Sequence, residues 1–264
     1  MLRFSNYRTE MNKEKIKYGI VLSAKLLPLI LVVVWVLTLV WVGVLKSHPV
    51  NHTPQMLVYD FSKKGDSLKY KVEHEWVPLD SISENLVMAV LAAEDRNFFV
   101  HEGFALKNDS DSIAGRQDFL AQKTISQRTA NAVFLMNGKT WFHRINETYY
   151  TVMIEEFWGK RRILEVYLNS ELMGEGIFGA EAASQIYFRK KAGDLTRDEA
   201  SFIAATIENP LAINEQHLSD SLICRKKKIL EDMSLMMKVK MGKKPIDEVE
   251  NTKFKPVYRR KWRG

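Results

Sequence analysis

The chain has few of the residues on which disulfide-linked or metal-binding proteins depend. It carries one cysteine, Cys224, so no intrachain disulfide can form. This does not decide between a reducing and an oxidising compartment, because a protein in an oxidising compartment does not need disulfides. No cysteines or histidines have metal-ligand spacing, and the six histidines are scattered. There are no repeats and no long low-complexity runs. An apolar share of 46% with 27% charged residues is that of an ordinary globular protein rather than a disordered one.

The net charge of +7 is unevenly placed along the chain. Residues 1–25 carry +4 and residues 222–264 carry +9, so residues 26–221 between them carry −6. Basic ends of this kind are solvated tails or are attracted to anionic lipid head groups. No recognised nucleic-acid motif accompanies the charge, so nucleic acid is not an expected partner.

Residues 26–45 contain no charge at all, over a length that matches the roughly 20 residues needed to span a bilayer. A cleaved signal peptide is the alternative, but no small-residue cleavage site follows. Six Lys or Arg residues precede the segment, whereas only Lys46, Lys63 and Lys64 lie close behind it. The positive-inside rule therefore predicts a cytoplasmic tail (1–25) and one transmembrane helix (26–45) in the inner membrane. The body that follows is predicted to lie outside the cytoplasm, on the periplasmic side of that membrane.

The body is predicted to be mainly α. Residues 46–77 read as a linker with one or two short strands, at 56–61 and 68–72. Helical spacing begins at Ser83, a plausible cap, and Thr196 begins a capping-box pattern. One helix is predicted to begin after Ser83. Further helices are predicted around residues 145–156 and 163–167, and over 181–187, 196–207 and 222–237. We expect one domain over 78–238 and a basic tail over 239–264.

Two carboxylates, Glu94 and Glu147, stand out as candidates for acid–base chemistry. Glu94 ends an apolar run, and burial there would raise its pKa towards values useful to a general base. Cations lie between the two acids, which suits chemistry on a sugar with a phosphate leaving group. Each acid taken alone also fits a surface charge cluster.

Five stretches, read in order, resemble the peptidoglycan glycosyltransferases of family 51, particularly the monofunctional biosynthetic transglycosylases. The stretches are AAEDRNFFVHEGF (92–104), KTISQR (123–128), HRINE (143–147), KRRILEVYLN (160–169) and GEGIFGAEAA (174–183). The resemblance runs from about residue 78 to about residue 237.

The resemblance implies a lysozyme-like domain that polymerises lipid II outside the cytoplasmic membrane. Glu94 takes the place of the general base, and Glu147 that of the second carboxylate, in the donor site or organising a metal ion. The positions matched to substrate binding are Lys123, Thr124, Gln127, Arg128, Lys139 and Arg144. A divalent cation (Mg²⁺ or Mn²⁺) often assists the family. Expected partners are lipid II, the growing glycan strand, membrane lipids and other cell-wall synthesis proteins, one of which would cross-link the product.

Departures from the family pattern cluster in the second stretch. Gln122 and Lys123 replace small residues, Arg128 replaces a glutamine, and Asn131 replaces a lysine; His143 replaces the first of a basic pair. Either the charge directed at phosphate has been relocated, or the protein is a weak or inactive glycan-binding scaffold. A glycoside hydrolase is the third hypothesis, since two carboxylates also suit glycosidic cleavage.

Overall fold

The computed structural model describes residues 2–63, 72–104, 123–136, 138–210, 213–214 and 217–235. The chain divides into two compact units, residues 1–47 and 48–264. The predicted tail at 239–264, and Gln122 of the altered second stretch, lie outside the described residues.

The first unit is a single long helix, α1 (Leu2–Ser47). Its segment from Ala24 to Ser47 is long and apolar enough to cross a membrane, and it contains the predicted span. Leucine and valine side chains along it are exposed, as a bilayer-facing surface requires. Pro28 lies inside the helix without ending it, as membrane helices tolerate.

The second unit is mainly α, as predicted. Its helices are α2 (Pro54–Lys63), α3 (Glu84–Glu94), α4 (Ile125–Phe134), α5 (Trp141–Ser170), α6 (Ala180–Phe188), α7 (Arg197–Thr206) and α8 (Asp220–Leu235). The strands are short: β1 (Glu73–His74), β2 (Leu172–Gly174), β3 (Ile177–Phe178), β4 (Ile213–Asn214) and β5 (His217–Leu218). Two 3₁₀ turns lie at Leu79–Ser81 and Ala192–Asp194.

The core forms around α3, which packs against α7 and α8, while α4 packs along α5. The apolar run that precedes Glu94 explains this arrangement, since Leu86, Ala89 and Val90 have no exposed surface. A helix that is apolar on nearly every side is stable only when other helices surround it. The run therefore carries its terminal carboxylate into the protein interior.

Local sequence signals for helix starts are confirmed. The Ser83 hydroxyl accepts a hydrogen bond from the Asn85 amide, and Thr196 forms a complete capping box with Glu199. The two helices predicted around residues 145–156 and 163–167 are both present within α5, where they meet at a kink. Only Gly159 departs from helical geometry there, with φ of 73°, which glycine adopts at no steric cost.

The strand predicted at 56–61 is wrong, because these residues form α2. Thr53 caps this helix by accepting from the Met56 amide at 3.2 Å, and Pro54 takes the first helical position. Met56 is buried, and the Tyr59 ring packs edge-on against Phe178 at 5.8 Å. Met56 and Tyr59 are three residues apart, a spacing that places both side chains on one face of a helix. Tertiary packing therefore favoured the helix over the predicted strand.

The segment around residues 73–77 is attached to the body through a small sheet. Strand β1 pairs in parallel with β3, which pairs antiparallel with β2. The Asn169 side chain accepts from the Val77 amide and donates to the Val77 carbonyl, each at 2.9 Å. The strand predicted at 68–72 lies almost wholly outside the described residues; Val72 is irregular.

Candidate active site

Glu94 is the last residue of α3, and its carboxylate is enclosed by two arginines. Arg225 of α8 donates to Oε1 at 2.9 Å, and Arg128 of α4 places Nη2 3.0 Å from Oε2. The second contact is an ion pair without hydrogen-bond geometry, since Oε2 has no hydrogen-bond partner. The Glu94 side chain has no exposed surface, so the predicted burial is confirmed.

Burial raises the pKa of the Glu94 carboxyl above its ordinary value, and the charges of Arg128 and Arg225 oppose that rise. The raised pKa shows that burial outweighs the arginines. Because burial raises its pKa, the Glu94 carboxylate is a better proton acceptor than an exposed glutamate. Because the two arginines oppose that rise, it stays ionised more readily than a buried carboxylate without cationic partners. That combination suits a general base.

The turn after Glu94 fixes α3 to the start of α4. Asp95 accepts from the Ile125 amide at 3.1 Å and from His101 Nε2 at 2.8 Å. The other ring nitrogen of His101 accepts from the Gly103 amide at 3.1 Å. Thr124 donates its hydroxyl proton to the Gly103 carbonyl at 2.6 Å. These bonds hold α4, and with it Arg128, beside Glu94.

Thr124 and Gln127 form a capping box at the start of α4. The Gln127 amide donates to the Thr124 hydroxyl, and the Gln127 side chain accepts from the Thr124 amide, both at 3.1 Å. Thr124 is almost fully buried. Substrate binding by these two residues stays a prediction, and the structure gives both side chains a role in positioning α4.

Glu147 lies on the first half of α5, and its carboxylate is also paired. Lys123 Nζ donates to Oε2 at 2.5 Å, and His143 Nδ1 lies 3.9 Å from the same oxygen. Glu147 is buried, whereas the Lys123 side chain is 42% exposed. The predicted site residues Lys123 and Glu147 are therefore brought together by the fold.

Lys139 and Arg144 are exposed at the beginning of α5. Arg144 precedes Glu147 by three residues, which places both on one side of the helix. Asn131, where the family pattern has lysine, has a buried side-chain oxygen without a hydrogen-bond partner in the described part of the chain.

A third carboxylate, Glu171, whose side chain is 14% exposed, completes the charge network. Its Oε1 lies 3.6 Å from Arg128 Nη1, and burial raises its pKa to about 7 although the charge of Arg128 opposes the rise. Lys123 also lowers the pKa of Glu171, to a smaller extent. The order Glu94, Arg128, Glu171, Lys123, Glu147 thus alternates negative and positive charges from one predicted catalytic acid to the other.

The model of the transglycosylase family matches residues 62–234, well over half of the chain. The chain belongs to the transglycosylase family. Among its relatives, the biosynthetic peptidoglycan transglycosylase of Bacteroides thetaiotaomicron is 38% identical over 222 residues, covering 83% of this chain and 90% of that protein. That of Mannheimia succiniciproducens is 44% identical over 161 residues, 60% and 65% of the two chains. That of Bdellovibrio bacteriovorus is 37% identical over 185 residues, 69% and 74%.

Family membership confirms that this transglycosylase is an enzyme with a mainly α, lysozyme-like domain. The family match begins within α2, in the segment that the sequence pattern assigns to a linker.

Sequence reasoning missed Arg225, Glu171 and Glu208 in the transglycosylase site. Arg225 forms ion pairs with both Glu94 and Glu208. A signal for Arg225 was present, because it falls three residues after Leu222 and four before Ile229, on the buried face of α8. No local pattern marks Glu171, or the 62% exposed Glu208, as the partner of an arginine.

The candidate for organising a metal ion is already paired with a cationic side chain. Among the described residues, no group of three His, Cys, Asp or Glu side chains is placed to hold one. The Glu147 carboxylate, the candidate for organising a cation, already faces the Lys123 ammonium. The described side chains, as arranged, do not fit a divalent cation.

Proposed function

We propose that the protein polymerises lipid II into peptidoglycan glycan strands. The observation that carries the proposal is the buried Glu94 carboxylate, with a raised pKa and two cationic partners, in the family's first motif. The named relatives are biosynthetic peptidoglycan transglycosylases, which supports the same substrate class.

In the proposed reaction Glu94 accepts the proton of the acceptor sugar's 4-hydroxyl. The oxygen attacks the anomeric carbon of the donor, the new carbon–oxygen bond forms with inversion, and undecaprenyl pyrophosphate leaves with the electrons of the broken bond. Cations near the leaving group stabilise its charge, a role that we assign to Lys139 and Arg144. Lys123 orients Glu147 in the donor site by donating a hydrogen bond to its carboxylate.

We infer that the body lies at the outer surface of the inner membrane. Six cationic residues precede the apolar span, which favours a cytoplasmic N-terminus. The first turn of α5 exposes Trp141, Phe142 and Ile145, which are 74%, 64% and 56% exposed. Aromatic and aliphatic side chains beside the cationic Lys139 and Arg144 suit a membrane interface with anionic head groups.

A weak or silent glycan-binding scaffold is the second candidate. The specific observation that favours it is the complete enclosure of Glu94 by two arginines, one of which, Arg128, replaces a glutamine of the family pattern. For Glu94 to accept a substrate proton, an arginine must move aside. Both candidate functions, the polymerase and the scaffold, include interactions with other cell-wall synthesis proteins.

The deciding experiment incubates purified full-length protein and the Glu94→Gln variant with labelled lipid II in detergent, with and without Mg²⁺. We expect glycan ladders from the unmodified protein and a loss of about 10²- to 10⁴-fold in the variant, the range that general-base catalysis contributes. No polymer from either protein, where a control transglycosylase makes polymer, would establish the scaffold. Shortening of added glycan strands would establish a hydrolase. The two buffers test whether Mg²⁺ is needed.

A further inference from the structure

In this site one guanidinium lies close to two carboxylates. Arg128 places Nη2 3.0 Å from Glu94 and Nη1 3.6 Å from Glu171. Glu94 is fully enclosed, and only 14% of the Glu171 side chain is exposed. Poorly solvated charges influence one another strongly, so the ionisation of either acid changes the energy of the other.

The backbone fixes Glu171 at this point. It caps the C-terminus of α5, where its amide donates to the Tyr167 carbonyl at 3.0 Å. Its own carbonyl accepts from the Gly179 amide at 3.0 Å, across the β2–β3 hairpin. Gly179 has φ of 86°, and a side chain there would meet the Asn169 carbonyl at 2.6 Å. The side chain of Glu171 is therefore directed at Arg128 by a turn that only glycine can close.

The charged and titratable groups facing Glu171 come from every neighbouring element in the described structure. Helix α4 supplies Arg128, the residue before the α4 cap supplies Lys123, α3 supplies Glu94, and α5 supplies Tyr167. Burial raises the pKa of Glu171 to about 7, against the charges of Arg128 and Lys123. Glu171 consequently changes its charge near neutral pH.

We propose that Glu171 is a positioning residue for the reaction and acts on Glu94 through the Arg128 guanidinium that both carboxylates share. Ionised Glu171 draws Arg128 away from Glu94 and keeps Glu94 a stronger base. Protonated Glu171 leaves Arg128 to Glu94, whose ionised form is then more stable and less basic. This inference rests on the proposed polymerase function.

The test measures kcat/KM for lipid II polymerisation against pH in the full-length protein and its Glu171→Gln variant. Removing the negative charge lowers the pKa of Glu94, so we expect the acid limb to move to lower pH by about one unit. The plateau rate falls because the base is weaker. Glu171→Asp should retain most of the original profile. Glu156→Gln, which removes an exposed carboxylate from the same helix, is the matched control and should leave the profile unchanged.

The same substitution in an Arg128→Gln background tests the pathway. Without the shared guanidinium, we expect the shift caused by Glu171→Gln to fall to less than half. An equal shift in both backgrounds would overturn the role of Arg128. A lower rate with an unmoved profile would show that Glu171 is only structural.

A thermodynamic cycle tests the inference without activity. Unfolding free energies are measured at pH 5 to 8 for the Glu94→Gln and Glu171→Gln variants and the double variant, with Arg128 present or replaced by Gln. We expect non-additive effects that at least halve when Arg128 is absent. Additivity in both backgrounds would contradict the proposal. Failure of the unmodified protein to polymerise would instead contradict the proposed function, and this cycle would still decide the inference.

Discussion

At the residue scale, two of the residues that depart from the family pattern are the ones that connect the two acids. Lys123 pairs with Glu147, and Arg128 pairs with Glu94 and Glu171. Substitutions that had only degraded the site would not be expected to place cationic side chains against its acids. Here each new cation has a carboxylate partner, which supports relocated charge rather than decay of the site.

We predict that Lys123→Ser lowers polymerisation about tenfold in metal-free buffer, a change of about 1.4 kcal/mol in the barrier. The reason is that buried Glu147 loses the ammonium that pairs with its carboxylate and orients it. The smaller side chain also leaves an open, anionic position, so we expect added Mg²⁺ to restore part of the rate. Polymerisation assays in EDTA and in Mg²⁺ measure both effects.

Mn²⁺ binding, followed by electron paramagnetic resonance, gives a readout that does not depend on activity. We expect tighter binding by the Lys123→Ser variant than by the unmodified protein. Lys191→Ser, which changes an exposed lysine outside the site, should alter neither measurement. An unchanged rate in EDTA would show that the Lys123 contact has no part in the reaction.

At the element scale, two helices begin with the same capping box but have different relations to the site. Thr124 caps α4 and also donates to Gly103, whereas Thr196 caps α7 at an exposed position. Comparing Thr124 with Thr196 therefore separates the stability that any helix cap contributes from the positioning of Arg128.

We predict that Thr124→Ala and Thr196→Ala each lower the free energy of unfolding by about 1 kcal/mol, the usual value of an N-cap. Only Thr124→Ala should lower polymerisation severalfold, because the end of α4 loses its tie to the turn after Glu94. Chemical denaturation and the polymerisation assay give the two quantities. Equal activities of the two variants would refute the positioning role of Thr124.

At the scale of the whole molecule, the proposed function gives the apolar helix α1 and the exposed first turn of α5 one membrane contact each. The first is a spanning segment, and the second is a surface patch formed by Trp141, Phe142 and Ile145. The proposed lipid-linked substrate would lie in the same bilayer, so both contacts would raise its effective concentration at the site.

We predict that the double variant Trp141→Ser, Phe142→Ser loses severalfold in polymerisation rate in anionic liposomes and much less in detergent. These side chains are exposed, so their removal leaves the free energy of unfolding nearly unchanged. The comparison of rates in liposomes and detergent is the measurement. Ile223→Ser removes an exposed apolar side chain from α8 and is the control. An equal loss in both media would assign the aromatic pair to substrate contact instead.

Local patterns in the sequence were sufficient for the features that depend on neighbouring residues. The uncharged run predicted α1, the apolar run predicted a buried Glu94, and the caps at Ser83 and Thr196 were read from their hydroxyls. These features form because side chains three or four residues apart share a helix face, and a cap bonds to its own helix.

Only the tertiary structure decided which charges meet. Arg225 reaches Glu94 across 131 residues of sequence, and Glu171 meets Arg128 because α4 packs along α5, whose C-terminus Glu171 caps. The choice of helix over strand for α2 likewise depended on packing against Phe178. Local spacing specifies the elements, whereas ion pairs between distant elements depend on how those elements pack. Burial makes unpaired charges costly, and in this fold Glu94, Glu147 and Glu171 each face a cation.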